Sequence, residues 1–135
     1  MEDFKIFLKS IHFSEYLEKI IKKFKNKKIV IYGSGSFFKY ISDNFDLSKL
    51  NIIGISDMKF DASQEGQDYL GFKMIPKDKI ISYKPDIVLV ATLKYIGIIE
   101  DFETNLFKNT KIRVYPLARL PFWQLVKEIW GQSAI

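Results

Sequence analysis

The chain has no cysteine, one histidine and two arginines among its 135 residues. The lack of cysteine excludes a disulfide framework, thiolate catalysis and cysteine-based zinc sites. The single histidine, His12, lies outside the motifs described below and reads as a surface or packing residue. Arg113 and Arg119 are the only arginines, so nearly all the positive excess is lysine (net +5, from 21 Lys+Arg against 16 Asp+Glu). Readers of nucleic acid lean on arginine for bidentate contacts to bases and phosphates. Dispersed lysine describes a solvated surface with a modest pull on anionic ligands, and no nucleic-acid partner is expected. No apolar run approaches the roughly 20 residues that cross a bilayer, so no membrane span is expected. The start, Met1-Glu2-Asp3-Phe4-Lys5, has early acids and no long apolar core. It does not read as a signal peptide, and a cytoplasmic location is the expectation.

What is present is apolar and aromatic, at 47% and 16% of residues. That is enough for one sizeable core, and the length suits a single domain. It is too short for a dinucleotide half joined to a substrate half. The most informative stretch is Lys27-Lys28-Ile29-Val30-Ile31-Tyr32-Gly33-Ser34-Gly35-Ser36-Phe37-Phe38. A β-branched apolar run ends abruptly in Gly-Ser-Gly-Ser, and an amphipathic segment follows to Phe45. This order predicts buried strand, glycine turn and helix, the first unit of a nucleotide-binding α/β fold. Glycines let backbone approach a phosphate, and a helix start offers free N–H groups to it.

Apolar spacing predicts helix over residues 2–25, split into two by Ser14 as an N-cap. Strands are predicted at about 28–32, 51–57, 72–76, 87–91 and 112–115, with helices at about 36–45 and 95–108. Residues 58–71 read as a loop, and Lys77 to Ser82 as a turn of helix. Pro121 opens a final helical segment carrying Phe122, Leu125, Val126, Ile129 and Trp130. Strands alternating with helices predict an α/β, Rossmann-like open parallel sheet of about five strands with helices on both faces. Right-handed crossovers favour the order 3-2-1-4-5. The expected organisation is one domain over 1–135: an N-terminal helical segment to residue 26, a nucleotide-binding core over 27–116 and a C-terminal helical segment over 117–135.

The candidate ligand-binding residues are Gly33, Ser34, Gly35, Ser36, Phe37, Asp57, Thr92 and Lys94. Gly33 and Gly35 match the first two glycines of Gly-x-Gly-x-x-Gly, while Phe38 stands at the third. That third glycine allows close helix-to-strand packing, and a phenylalanine there would push or tilt the helix. Ser34 and Ser36 could add hydroxyl donors. The plain alternative is a tight turn with no ligand. Asp57 ends the second strand, where an acid accepts from ribose hydroxyls and repels a 2′-phosphate. A strand-end aspartate capping the next turn is the alternative. Thr92 and Lys94 follow the fourth predicted strand, at the crevice where strand order reverses, and could contact sugar or phosphate. A helix cap and an exposed lysine are the alternative. Tyr69-Leu70-Gly71-Phe72-Lys73 has Tyr-x-x-x-Lys spacing, but Gly71 and Pro76 argue against the helix that this catalytic pair needs. No nucleophile has an adjacent base, and no cluster has metal-ligand spacing.

Four segments in order carry a family resemblance: Ile29 to Gly35, Ile52 to Asp57, Gly71 to Pro76 and Pro85 to Thr92. They resemble the Rossmann-like domains of bacterial sugar-modifying and surface-polysaccharide enzymes. These include the N-terminal domain of sugar acetyltransferases, the nucleotide domain of polysaccharide-type sugar epimerase/dehydratases and a domain of sugar C-methyltransferases. The resemblance, over about 27–116, implies a nucleotide or nucleotide-sugar binding domain of surface-glycan biosynthesis. It also implies that a complete active site is missing, since no hexapeptide repeats or separate catalytic domain accompany it. The ligand would be NAD(H) or a UDP- or CMP-sugar, with Phe38 weighing against NAD. Two alternatives stand beside this: a stand-alone NAD-dependent sugar oxidoreductase, and an assembly module docking to a sugar-modifying enzyme. For the latter, Trp123 and Trp130 share a helix face and could anchor a homodimer or a catalytic-domain partner, or pack against the N-terminal helices.

Overall fold

Ile29, Val30, Ile31 and Tyr32 form β1 (Ile29–Tyr32), buried at all four positions. Such a strand must sit inside a sheet, because both faces need apolar cover and both edges need hydrogen-bond partners. In the computed structural model, which describes residues 2–121, β1 pairs in parallel with β2 (Ile52–Asp57) and with β5 (Ile87–Val90). Outside β2 lie β4 (Phe72–Pro76) and the two-residue β3 (Asp68–Tyr69), and outside β5 lies β6 (Arg113–Pro116). The order is β3-β4-β2-β1-β5-β6, parallel except for the antiparallel β3–β4 pair. The Rossmann-like α/β fold is therefore present, with the predicted 3-2-1-4-5 order appearing as β4-β2-β1-β5-β6.

The sixth strand is a correction. Residues 58–71 are not only loop. They hold a short 3₁₀ turn (Ala62–Gln64), closed by a capping box between Asp61 and Gln64, and then β3. Leu70 and Gly71 turn the chain back onto β4, both with positive φ (54° and 87°). That is the backbone of a tight hairpin. A two-residue strand is too short to leave a periodicity in sequence.

Alternation along the strands divides the core in two. Ile29, Ile31, Ile55 and Leu89 face α1 (Glu2–Ser10), α2 (Phe13–Lys23) and α3 (Ser36–Asn44), through Leu8, Phe13, Leu17, Phe38 and Ile41. Val30, Tyr32, Ile75, Val88 and Val90 face α4 (Tyr95–Asp101) and the turn beyond it, through Tyr95, Phe102 and Phe107. Phe38 does not stand in a glycine-sized seam. It is fully buried, edge-on to Phe72 of β4 with ring centroids 5.8 Å apart. The Tyr16 hydroxyl on α2 donates to the Pro116 carbonyl at 2.6 Å, tying the N-terminal helices to the far sheet edge. Burial, with Tyr95 beside it, pushes this phenol up to about 12.

Two helix boundaries differ from expectation. Ser14 is not the N-cap of α2. The cap is His12, in the left-handed region (φ 56°, ψ 47°) and without a side-chain hydrogen bond. The reversal between α1 and α2 brings Phe13 inward, where it meets Phe45 edge-on at 4.8 Å. The helix predicted over 95–108 is α-helical only to Asp101 and continues as a π turn, Phe102–Leu106. There the Phe107 N–H donates to the Phe102 carbonyl at 2.7 Å, which sets these two buried rings 5.1 Å apart. The segment carrying Trp123 and Trp130 lies outside the described residues.

Gly54 stands where β2 leaves no room for a side chain against β4. A Cβ there would meet Ile75 Cδ1 at 2.3 Å and the Lys73 carbonyl oxygen at 2.9 Å. The second contact is backbone and cannot swing aside. Gly54→Ala is expected to destabilise by about 1–3 kcal/mol as overpacking. Urea unfolding should show a lower midpoint at unchanged slope. An unchanged midpoint would mean that the two strands are not held at this distance.

Candidate functional site

The chain leaves β1 through Gly33, whose φ of 118° is open only to glycine at low cost. Its N–H donates to the Ser56 carbonyl at 2.8 Å, so the turn begins as a continuation of the β1–β2 ladder. A Cβ at Gly33 would also press on the Ala91 carbonyl oxygen (3.1 Å) and on Thr92 Cγ2 (3.2 Å). The β1 turn and the segment after β5 are thus in close contact across the point where strand order reverses. Ligands of open parallel sheets bind at such a point.

All eight residues read from sequence line one cleft there. Gly33, Ser34, Gly35, Ser36 and Phe37 form one wall, Thr92 and Lys94 the other, and Asp57 stands at the end of β2. Its volume is about 370 Å³. Phe4, Ala91 and Leu93 complete the lining. Phe4 was not expected. It reaches the cleft from α1 by packing edge-on to Phe37 (5.4 Å) and against Tyr40 (5.8 Å). Only its place in an apolar helical repeat could have been seen, and that repeat does not say what the helix covers. A larger groove of about 980 Å³ runs elsewhere, along Tyr16, Lys19, Phe24, Tyr115 and Arg119, and shares none of the eight residues. No glycine lines it and it includes none of the residues at the strand-order reversal, so size does not make it the better candidate.

The two serines do different work. Ser34 is buried, and both its N–H (2.8 Å) and its hydroxyl (2.7 Å) donate to Asp57 Oδ2. The Tyr69 hydroxyl donates to its carbonyl oxygen. Ser34 therefore fastens the turn to β2 and β3 and has no donor left for a ligand. Ser36 is exposed at the first position of α3, after the exposed N-cap Gly35. No side chain caps this helix. Among the described residues no hydrogen bond takes up the N–H groups of Gly35, Ser36 or Phe37. A Cβ on Gly35 would meet nothing within 4 Å. An uncapped helix start facing open space favours an anion, through free N–H groups and the helix dipole.

Asp57 is a strap as well as a wall. Its Oδ1 accepts from the Lys59 N–H at 3.1 Å, while Oδ2 holds Ser34. A carboxylate has about four acceptor positions, so roughly one remains for a ligand hydroxyl. Burial pushes this carboxyl up. The Ser34 hydroxyl, the two backbone N–H groups and the Lys59 charge outweigh burial and hold it below the ordinary carboxylate range. Across the cleft, Thr92 Oγ1 accepts from the Lys94 N–H at 3.1 Å, leaving Lys94 exposed at the rim. Tyr69 and Lys73 lie on the two arms of the β3–β4 hairpin, consistent with declining a helical Tyr-x-x-x-Lys pair. Among the described residues, no three His, Cys, Asp or Glu side chains come together to hold a metal. Nor is any described helix long and apolar enough to cross a membrane.

Two outcomes follow from this geometry. Gly33→Ala forces a side chain into a positive φ and against the Ala91 backbone, at a cost of about 1–3 kcal/mol. Chemical denaturation measures it, and a neutral effect would contradict the strained turn. Asp57 titrates lower folded than unfolded, where a free aspartate sits at about 3.9. Its contribution is therefore whole above the unfolded value and is lost as pH falls through the folded one. The stability gap between wild type and Asp57→Asn should be widest near neutral pH and close progressively below about pH 4. A gap that does not change with pH would show that the charge is not what holds Ser34.

The family described as C2185-like, N-terminal, matches residues 25–112, which include the whole of the cleft except Phe4. No curated protein matches the sequence. Among solved structures, RSP in complex with β-NADH is similar at 16% identity and a TM-score of 0.47, over 90% of this chain and 70% of that one. RSP with β-NAD⁺ and operator DNA gives 16% and 0.47, over 89% and 62% of the two chains. RSP alone, a Rex-family repressor, gives 18% and 0.46, over 88% and 63%.

Proposed function

The chain belongs to the C2185-like, N-terminal family, and we propose that its cleft binds a phosphorylated nucleotide. The observation that carries this is the uncapped first turn of α3, opening beside Gly35 into a cleft at the strand-order reversal. The phosphate would sit on the N–H groups of Gly35, Ser36 and Phe37, with the Ser36 hydroxyl as a further donor. Lys94 supplies positive charge from the opposite rim. The remaining acceptor position of Asp57 takes one sugar hydroxyl, and its charge disfavours a phosphate on that sugar. The occupied donors of Ser34 move its role from ligand contact to support.

The finer proposal is a nucleotide-sugar ligand in surface-glycan biosynthesis, supported by the four-segment resemblance. Phe38 supports it over a dinucleotide, since it removes the glycine that close dinucleotide-type packing uses. The one hydroxyl that touches a carboxylate in the lining, Ser34 on Asp57, is buried and tied into the turn, so binding rather than a reaction is proposed for this cleft.

The test is thermal shift and calorimetry with UDP-sugars, CMP-sugars, NAD(H), NADP(H) and acetyl-CoA. A ligand at about 100 times its dissociation constant raises stability by about 2.7 kcal/mol. A nucleotide-sugar should stabilise most, and NADP(H) should bind less well than NAD(H) because of Asp57. Lys94→Gln should weaken the bound nucleotide a few-fold and flatten its salt dependence. The proposal fails if no phosphorylated ligand shifts the protein at millimolar concentration.

A further inference from the structure

Ser34 is gripped from two sides, and the sequence marked neither. Asp57 holds its N–H and hydroxyl from β2. From the sheet edge, Tyr69 of β3 holds its carbonyl. A trans peptide is planar, with C=O and N–H pointing in opposite directions. Whatever fixes the Ser34 carbonyl therefore fixes the next group in the same plane, the N–H of Gly35. That N–H is the first of the donors without a protein acceptor at the start of α3.

Gly35 makes this orientation insecure by itself. Its φ of −80° and ψ of −168° suit any residue. Turning over the Ser34–Gly35 peptide would carry φ at Gly35 into the positive region, which glycine also tolerates. The space around Gly35 is open, with nothing within 4 Å of where a Cβ would stand. In the turned state a carbonyl oxygen would face the anion in place of an N–H. Asp57 does not prevent this, because its bonds are to the preceding peptide and to the Ser34 side chain. The Tyr69 hydroxyl does, since its bond to the Ser34 carbonyl exists only in the observed orientation.

We propose that Tyr69 is a positioning residue for the phosphate site, locking the Ser34–Gly35 peptide so that the Gly35 N–H serves the anion. This deepens the proposed function and rests on the cleft being a phosphate site. It also gives the β3–β4 hairpin a purpose beyond extending the sheet. The hairpin turn at Leu70–Gly71 places Tyr69 opposite Phe72, with its ring 6.0 Å from Phe60, and the hydroxyl is the atom that reaches the loop.

The experiment is an amide-resolved NMR comparison of wild type and Tyr69→Phe, first free and then titrated with inorganic pyrophosphate. Tyr69→Phe keeps the ring against Phe60 and removes only the hydroxyl. The expected result is a shifted or doubled Gly35 resonance in the free variant, with core amides such as Val30 and Val88 unmoved. Pyrophosphate should bind the variant about tenfold more weakly, the scale of one lost hydrogen bond. Equal pyrophosphate affinity in the two proteins overturns the proposal, as does an unmoved Gly35 resonance. A variant whose core amides also collapse makes Tyr69 a structural residue and overturns it too. Wild type that ignores millimolar pyrophosphate counts against the phosphate site itself. The ligand-free Gly35 comparison then still decides whether Tyr69 holds the peptide.

Discussion

β1 is hydrogen-bonded along both edges and buried on both faces, and the rest of the molecule is arranged to allow that. Each of its aliphatic side chains contributes about 1.5–3 kcal/mol when removed from water. The gain is available only if helices cover the two faces and strands satisfy the two edges. The N-terminal helices and α3 cover Ile29 and Ile31, and α4 with its π turn covers Val30 and Tyr32. A strand so enclosed can release the chain only at its end, and it does so at Gly33. The turn that follows inherits the rigidity of the sheet. Its first N–H still pairs with Ser56, and Tyr32 still accepts from Ala91 across the reversal point.

The site is this rigidity continued one residue further. Ser34 lies in the turn yet is as enclosed as a core side chain, and every polar group it has is used within the protein. An anion site made from backbone N–H groups has no side chain to adjust, so its geometry must be held by neighbours. Asp57 and Tyr69 supply that hold from β2 and β3. The arrangement places a carboxylate close to the proposed anion site, and the hydrogen bonds from Ser34 and Lys59 disperse its charge. Lys94 adds the balancing charge on the other wall, from an exposed position that solvent screens.

Much of the candidate site was legible because its signals are local. Gly33 and Gly35 stand at a strand end before a helix, and that order by itself predicts a turn with free N–H groups. Asp57 and Thr92 stand at the ends of the next strands in a fold whose strand order is nearly forced. The parts that were not legible depend on contacts between distant segments. Ser34 and Ser36 look equivalent in sequence, and only the position of Asp57 across 23 residues divides them into a support and an exposed donor. Phe4 and Tyr69 carried no mark of the site. One belongs to a helical repeat that fits several docking positions, and the other to a strand too short to show alternation. Ser14 looked like a helix cap by residue type, but burying Phe13 set the helix start earlier, with His12 strained into the left-handed region.

The sequence alone determined the alternation of strands and helices, the buried central strand and the glycine turn that ends it. Those follow from properties of single residues and near neighbours: β-branching, apolar spacing and the freedom of glycine. Chirality of the crossovers then left essentially one order for the main strands. Only the tertiary structure decided which donors of the turn are free, which carboxylate oxygen is spent, and that Tyr69 reaches the loop from the sheet edge. Hydrogen bonds of this kind depend on distances of a few tenths of an ångström between segments that meet only once the sheet has formed. No pattern along the chain encodes them.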